Sequence, residues 1–331
     1  MSNKFLSTTS AFLLSTSMLV ADVPKVTVDI APVHSLVSKI MNGVGKPDLI
    51  IPAGASPHEY QLKPSNAKAL EDADLVFWIG EDLTPWLEKG LSSLAQDSSI
   101  TALLGVDGIE LLSFREGALF EAHDHDDHDD HDDHGKKKHD DHDDHDDHGK
   151  KKHDDHDDHA HGDHDPHAWL SPQIAKVWLN VIAAKLSEAD PDNAGKYFSN
   201  AKLARDNMDS LVSEVNSILD PIRDKKFVVF HDAYQYFEKD FGISASGAIS
   251  MGDASDPSPA RLAEIRKRVV DEAVECVLAE PQYNQGLVKA VVEGTNANTA
   301  VIDPLGVKLE SGPDLYENLI RNLATNLAKC F

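Results

Sequence analysis

The sequence predicts an α/β protein of two lobes, each a parallel sheet flanked by helices, joined by one long rigid helix. Three observations carry that expectation. Short apolar, β-branched runs alternate with helical patterns in both halves of the 331-residue chain, which is the signature of βαβ units. Between the halves, residues 191–221 carry a sustained helical stripe. Within the first half, residues 123–167 hold no apolar residue larger than alanine or proline, so this tract buries too little surface to offset its ordering entropy and reads as a disordered insert. The expected division is a leader over 1–21, an N-terminal lobe over 22–190 with the insert at 123–166, the joining helix over 191–221 and a C-terminal lobe over 222–331.

In order, Val26–Ala31 reads as a strand, and Pro32-Val33-His34-Ser35 leads into a helix with Leu36, Ile40 and Met41 on one face, ended by Gly43. Asp48–Ile51 is the next strand, followed by the loop Pro52–Pro64. Ser65 is expected to cap a helix through Ala73. Leu75–Ile79 is a fully apolar strand, Leu83–Leu94 a helix, and Ile109–Phe114 a fourth strand running into the insert. Beyond the insert, Ser171-Pro172 is a cap followed by a first-turn proline. Ile174, Val177, Trp178, Val181, Ile182 and Leu186 mark one helical face. Asp190-Pro191 opens the long helix by the same grammar. Its stripe is Tyr197, Ala201, Ala204, Met208, Leu211, Val215 and Ile218, and it ends near Asp220-Pro221, giving about 45 Å at ~1.5 Å per residue. The stripe lacks the paired flanking charges of a coiled coil, so it suits a helix lying along a globular body, and a monomer is expected. Alternation then resumes with strands Phe227–Phe230, Ile243–Ile249, Cys276–Ala279 and Ala300–Ile302, and helices Tyr234–Phe241, Pro259–Ala273, Leu287–Val292 and Leu315–Ala328.

The formal net charge of −26 is concentrated. Nineteen aspartates against six lysines between 123 and 167 account for half of it. The remainder is mildly acidic, which argues against nucleic acid as a partner. At the N-terminus, Lys4, the apolar Phe5–Val20 and a small residue at Ala21 form a secretory signal, too short and too polar to span a bilayer comfortably. Export gives meaning to the two cysteines. Cys276 and Cys330 form an even pair in an oxidising compartment, which favours a disulfide worth about 4 kcal/mol by loop entropy.

Fifteen of the eighteen histidines lie in the tract, where HDDHDDHDDHGKKK is written twice, at 125–138 and 139–152. Only His34, His58 and His231 lie outside it. His58 follows the strand at 48–51, and His231 follows the strand at 227–230 directly. Ligands of open parallel sheets bind beyond such strand ends. His167 stands where the chain re-enters structure, and Asp303 follows the strand at 300–302. Three imidazoles and an oxygen ligand suit Zn2+, whereas manganese favours more carboxylate. Zinc needs neutral imidazole, so affinity should fall as pH drops below about 6.5. His34 is assigned no metal role, and Glu59 and Glu280 rank below Asp303 as ligands.

The ordered motifs GASPHEY, HAWLSP, VVFHDAYQYFEKDFG, LAEPQY and IDPLG resemble the periplasmic zinc-binding proteins of ABC uptake systems, the ZnuA-like metal receptors, over essentially the whole mature chain. The resemblance implies two lobes bridged by a rigid helix with metal between them. It carries the three histidine ligands to His58, His167 and His231 and the fourth position to Asp303, with Glu59 or water as alternatives, since Pro57 stands where some relatives have an acid. It also implies the Cys276–Cys330 pair and a partnership with an inner-membrane ABC permease and its ATPase, with an auxiliary periplasmic zinc protein as a further candidate partner. Manganese-binding relatives have Glu where this chain has His231, which favours zinc.

The tract's remaining histidines, His123, His125, His128, His131, His134, His139, His142, His145, His148, His153, His156, His159, His161 and His164, are expected to act as a low-affinity zinc collector or sensor, because each capture must order the chain. The rival reading of the cleft is a secreted zinc hydrolase. No HExxH, nucleophile elbow or phosphate loop is present to support it, so a binding protein rather than an enzyme is expected.

Overall fold

The structure is a computed structural model describing residues 23–115, 120, 164–250 and 257–331. The leader at 1–21 and the tract histidines from His123 to His161 therefore lie outside the described residues. Among the described residues, no helix is long and apolar enough to cross a membrane.

The N-lobe sheet contains β1 (Val26–Val28), β2 (Asp48–Leu49), β3 (Leu75–Trp78) and β4 (Ser99–Ala102), all parallel, in the order β2-β1-β3-β4. Between them run α1 (Ala31–Ile40), α2 (Pro64–Glu71) and α3 (Pro85–Leu94), and α4 (Pro172–Ala189) follows the tract. The C-lobe repeats the arrangement with β5 (Phe227–His231), β6 (Ala248–Ser250), β7 (Cys276–Ala279) and β8 (Asn298–Val301) in the parallel order β6-β5-β7-β8. Its helices are α6 (Gln235–Phe241), α7 (Pro259–Asp271), α8 (Gln285–Val292) and α9 (Leu315–Ala328). The joining helix is α5 (Ala194–Leu219). It turns Tyr197, Ala201, Ala204, Met208, Leu211 and Val215 inward as expected, but closes its stripe on Leu219 rather than Ile218.

The stripe of α5 packs against α1 and α4 of one lobe and α9 of the other. One continuous apolar core consequently runs through both lobes, with a second, smaller cluster under α7 and α8 on the outer face of the C-lobe sheet. Buried polar contacts cross the same boundary: Ser35 Oγ accepts from Tyr316 N at 2.9 Å, and Trp169 Nε1 donates to Pro304 O at 2.8 Å. A boundary this apolar opposes wide hinge motion, because separating the lobes would expose core surface.

Two sequence expectations need correction. The fourth N-lobe strand is Ser99–Ala102, not Ile109–Phe114. Residues 99–102 form a largely exposed edge strand, so burial imposes little apolar pattern on them. The apolar residues Ile109, Leu111 and Leu112 instead pack on the core from an irregular segment, joined to the returning chain by a single antiparallel bridge between Ser113 and His164. Likewise α2 is capped at Lys63, with Pro64 in its first turn and Asn66 Oδ1 accepting from Lys63 N at 3.1 Å. The proline's fixed φ suits that first turn, so Ser65 is already helical. In the C-lobe, Cys276 at the start of β7 is bonded to Cys330 just beyond α9, with Cα atoms 5.8 Å apart.

Candidate metal centre

Three expected ligands converge on one small cavity of about 20 Å³, lined by His58, His167, His231 and Glu280 among others, which is room for about one water-sized occupant. The ring centroids of His58 and His167 are 5.6 Å apart, and those of His167 and His231 are 5.3 Å apart. With zinc–nitrogen bonds of about 2.0–2.1 Å and each centroid roughly 1 Å behind its nitrogen, two rings on one tetrahedral ion stand about 5 Å apart. The rings lie slightly wider than that, and among the described residues no three His, Cys, Asp or Glu side chains form a closed ligand sphere.

Each histidine is placed by a different local device. His58 sits on the loop after β2, where Ser56 Oγ accepts from His58 N at 3.3 Å and Pro57 O accepts from Trp86 Nε1 at 2.8 Å. Gly54 in the same loop has φ +88, and a Cβ there would lie 3.5 Å from the Val307 side chain of the other lobe. That is ordinary contact distance, so it is the left-handed backbone and not crowding that calls for glycine here. His231 ends β5, opposite Ser250 of β6. His167 precedes a short 3-10 turn at Ala168–Leu170 that delivers the chain into α4, whose start is capped by Ser171 Oγ accepting from Ile174 N at 3.1 Å.

Behind two of the rings stand buried carboxylates. Asp165 Oδ1 accepts from His167 Nδ1 at 2.8 Å and from His167 N at 2.9 Å. Glu280 Oε1 accepts from His231 Nδ1 at 2.7 Å. A carboxylate can only accept, so each Nδ1 carries the proton and each Nε2 is left with the lone pair a metal needs. The Tyr234 hydroxyl is buried beside Glu280. Burial first, then the charges of Glu280 and Asp303, raise its pKa well above the ordinary value. Trp169 lies 5.1 Å from His167 and Tyr283 lies 5.4 Å from His231, centroid to centroid, so aromatic rings wall the histidines from solvent.

Asp303 is a correction. Its carboxylate accepts from the backbone N–H groups of Leu305, Gly306 and Val307 and from Gln282 Nε2. It lines a separate cavity of about 200 Å³ beside α9, not the histidine cavity. A side chain that caps its own turn has its lone pairs engaged. Glu59 is exposed and does not line the cavity either, whereas Glu280, ranked lower from sequence, does. His34 stands on α1 with its Nε2 3.1 Å from Pro47 O, and burial foremost lowers its pKa, in keeping with a packed histidine. Asp165 was missed because it reads as one more acid in an acidic tract. Its place two residues before His167, separated from it by Pro166, is the one available signal.

The family model described as "Zinc-uptake complex component A periplasmic", ZnuA, matches residues 26–330. The chain belongs to the ZnuA family. It is 48% identical over 323 residues to the high-affinity zinc uptake system protein ZnuA of Brucella abortus (strain 2308), covering 97% of this chain and 96% of that one. It is 46% identical to the ZnuA of Paracoccus denitrificans, covering 94% and 92% of the two chains. Among solved structures it superposes on a zinc-bound ZnuA deletion mutant with a TM-score of 0.71 at 22% identity, over 93% of this chain and 98% of that one. At that identity the likeness concerns the fold. As a ZnuA-family member the chain is a substrate receptor, not an enzyme.

Proposed function

We propose that this chain captures Zn2+ in the periplasm with His58, His167 and His231 and delivers it to an inner-membrane ABC permease driven by its ATPase. The observation that carries the reading is the arrangement of three imidazoles around one cavity, two of them oriented by the buried carboxylates of Asp165 and Glu280. Water takes the fourth position, and Glu280 acts through His231 rather than on the ion. Three nitrogen ligands and one exchangeable position make a site that binds tightly yet can pass its metal on. The chain reaches the periplasm through a leader at 1–21 and works as a monomer, with an auxiliary periplasmic zinc protein as a second source of metal.

The fourteen other tract histidines form weak auxiliary sites that raise the zinc concentration near the cleft. Imidazole beside carboxylate supplies the chemistry, and the absence of apolar residues larger than alanine or proline in the tract makes every capture bear its own ordering entropy. Calorimetric zinc titration tests the reading. The mature chain should show one tight equivalent, abolished by His58→Ala, together with several weak equivalents that disappear when residues 123–164 are deleted. A tight equivalent that survives His58→Ala would overturn it.

A further inference from the structure

Arg115 leaves the N-lobe just ahead of the histidine tract, yet its guanidinium is spent on the C-lobe. Nε donates to both oxygens of Asp232, at 3.0 and 2.9 Å, and Nη2 bonds Asp232 Oδ1 as well. Nη1 donates to Glu238 Oε2 at 2.8 Å and Nη2 to Glu238 Oε1 at 3.1 Å. The Phe120 ring covers the group, 3.7 Å from the guanidinium carbon. All three charged side chains are largely buried. A planar fork of five donors satisfies two carboxylates in this way, which an ammonium cannot reproduce.

The partners are placed at the cleft. Asp232 is the chain neighbour of His231, in a tight turn where Ala233 N donates to His231 O at 2.9 Å. Glu238 lies on α6, whose first residues are fastened to both sides of the tract's root: Gln235 Nε2 donates to Ser113 O and to Asp165 Oδ2, both at 3.1 Å. Tyr236 Oη accepts from Leu112 N at 3.0 Å and donates to Asp165 O at 2.9 Å. Asp165 is the carboxylate that orients His167. One connected set of polar contacts therefore ties the root of the tract to the backbone of His231 and to the partner of His167.

We propose that Arg115 is a positioning residue for the zinc cleft, holding His231 in register with His167 through its double clamp on Asp232 and Glu238. The proposal rests on the reading of these histidines as the zinc site. A second cross-lobe ion pair, Lys39 with Glu317, joins α1 to α9, and neither residue lines the histidine cavity. It supplies the control, because it shares the structural role without the connection to a ligand.

The test uses the full mature chain carrying one equivalent of zinc, with release followed after mixing with excess EDTA, alongside thermal melts of the zinc-free proteins. Arg115→Lys should release zinc about tenfold faster than the parent, the scale of losing an outer-shell contact, and Arg115→Met faster still. Lys39→Met should shift the melting temperature and leave the release rate at the parent value. Should Arg115→Met fail to fold, Arg115→Lys decides alone. Parent-like release from the folded Arg115 variants, whatever their melting temperature, overturns the proposal. His58→Ala in the same assay checks the histidine reading separately, since retention of tight zinc by that variant would remove the site itself and not the clamp.

Discussion

In the N-lobe sheet Val26 of β1 stands opposite Leu75 of β3, and in the C-lobe sheet Phe227 of β5 stands opposite Cys276 of β7. Ile79 and Glu280 follow those partners by the same number of residues, so they occupy equivalent corners of two sheets with the same strand order. The chemistry at the two corners differs. In the N-lobe, the carboxylate of Asp29 is aimed inward and accepts from Ile30 N and Ile79 N, each at 2.7 Å, stapling the end of β1 to the end of β3. In the C-lobe, the strand end presents His231, and the carboxylate of Glu280 stands behind it. One corner is closed by a carboxylate on backbone; the other is left open by a carboxylate on an imidazole. The same parallel-sheet edge thus carries a backbone fastening in one lobe and a buried histidine–carboxylate pair in the other.

That contrast can be broken in a definite order. The largest effect on stability alone should come from the far end of the C-lobe sheet. Replacing Cys276 and Cys330 by serine removes a cross-link with a sequence separation of 54 and should cost about 4 kcal/mol in denaturant unfolding, with the tight zinc equivalent retained. Loss of tight zinc in the folded double variant would mean that the two ends of β7 are coupled.

The N-lobe corner should answer to pH and not to zinc. Burial pushes the Asp29 carboxyl up to about 7 against the lowering effect of the Ile79 and Ile30 N–H groups. A folded-state pKa raised above the unfolded value means that folding takes up a proton. The contribution of Asp29 is therefore complete below about pH 4 and is lost as pH rises toward 7, with a total on the order of a few kcal/mol. Zinc-free Asp29→Asn should show a flatter fall in unfolding free energy between pH 5 and pH 8 than the parent. Parallel curves would remove this account of the corner.

At the C-lobe corner, Glu280→Gln should weaken zinc by about 10- to 100-fold, as expected for the loss of a partner that orients a ligating imidazole, with little change in the melting point of the zinc-free chain. Competition with a chelating dye measures it, and an unchanged affinity would leave Glu280 as a mere neighbour. The smallest effect belongs to Asp303→Asn, expected to change zinc affinity less than about threefold, because the carboxylate caps its own loop. A loss as large as that of Glu280→Gln would return Asp303 to the metal.

Much of this was legible in the sequence, for physical reasons that also mark the gaps. The buried strands β3, β5 and β7 announce themselves because both faces must be apolar, and α4 and α5 because one face must. His58 and His231 stood out as isolated imidazoles after strands, and both line the cavity. The edge strand β4 was illegible because little of it is buried. Asp303 misled because a residue after a strand can turn toward the cleft or back onto its own loop, and only the hydrogen bonds of Leu305, Gly306 and Val307 decide which. Asp165, Glu280 and Arg115 share one difficulty. Their meaning lies in partners fixed by the fold, such as Asp232, which stands 117 residues from Arg115 along the chain.

The most direct test of the central claim is calorimetric zinc titration of three mature chains: the parent, the same chain lacking residues 123–164, and His231→Ala. The account predicts one tight equivalent in the first two and none in the third, with weak equivalents only where the tract is present. A tight equivalent in His231→Ala, or its loss on deleting the tract, would contradict it.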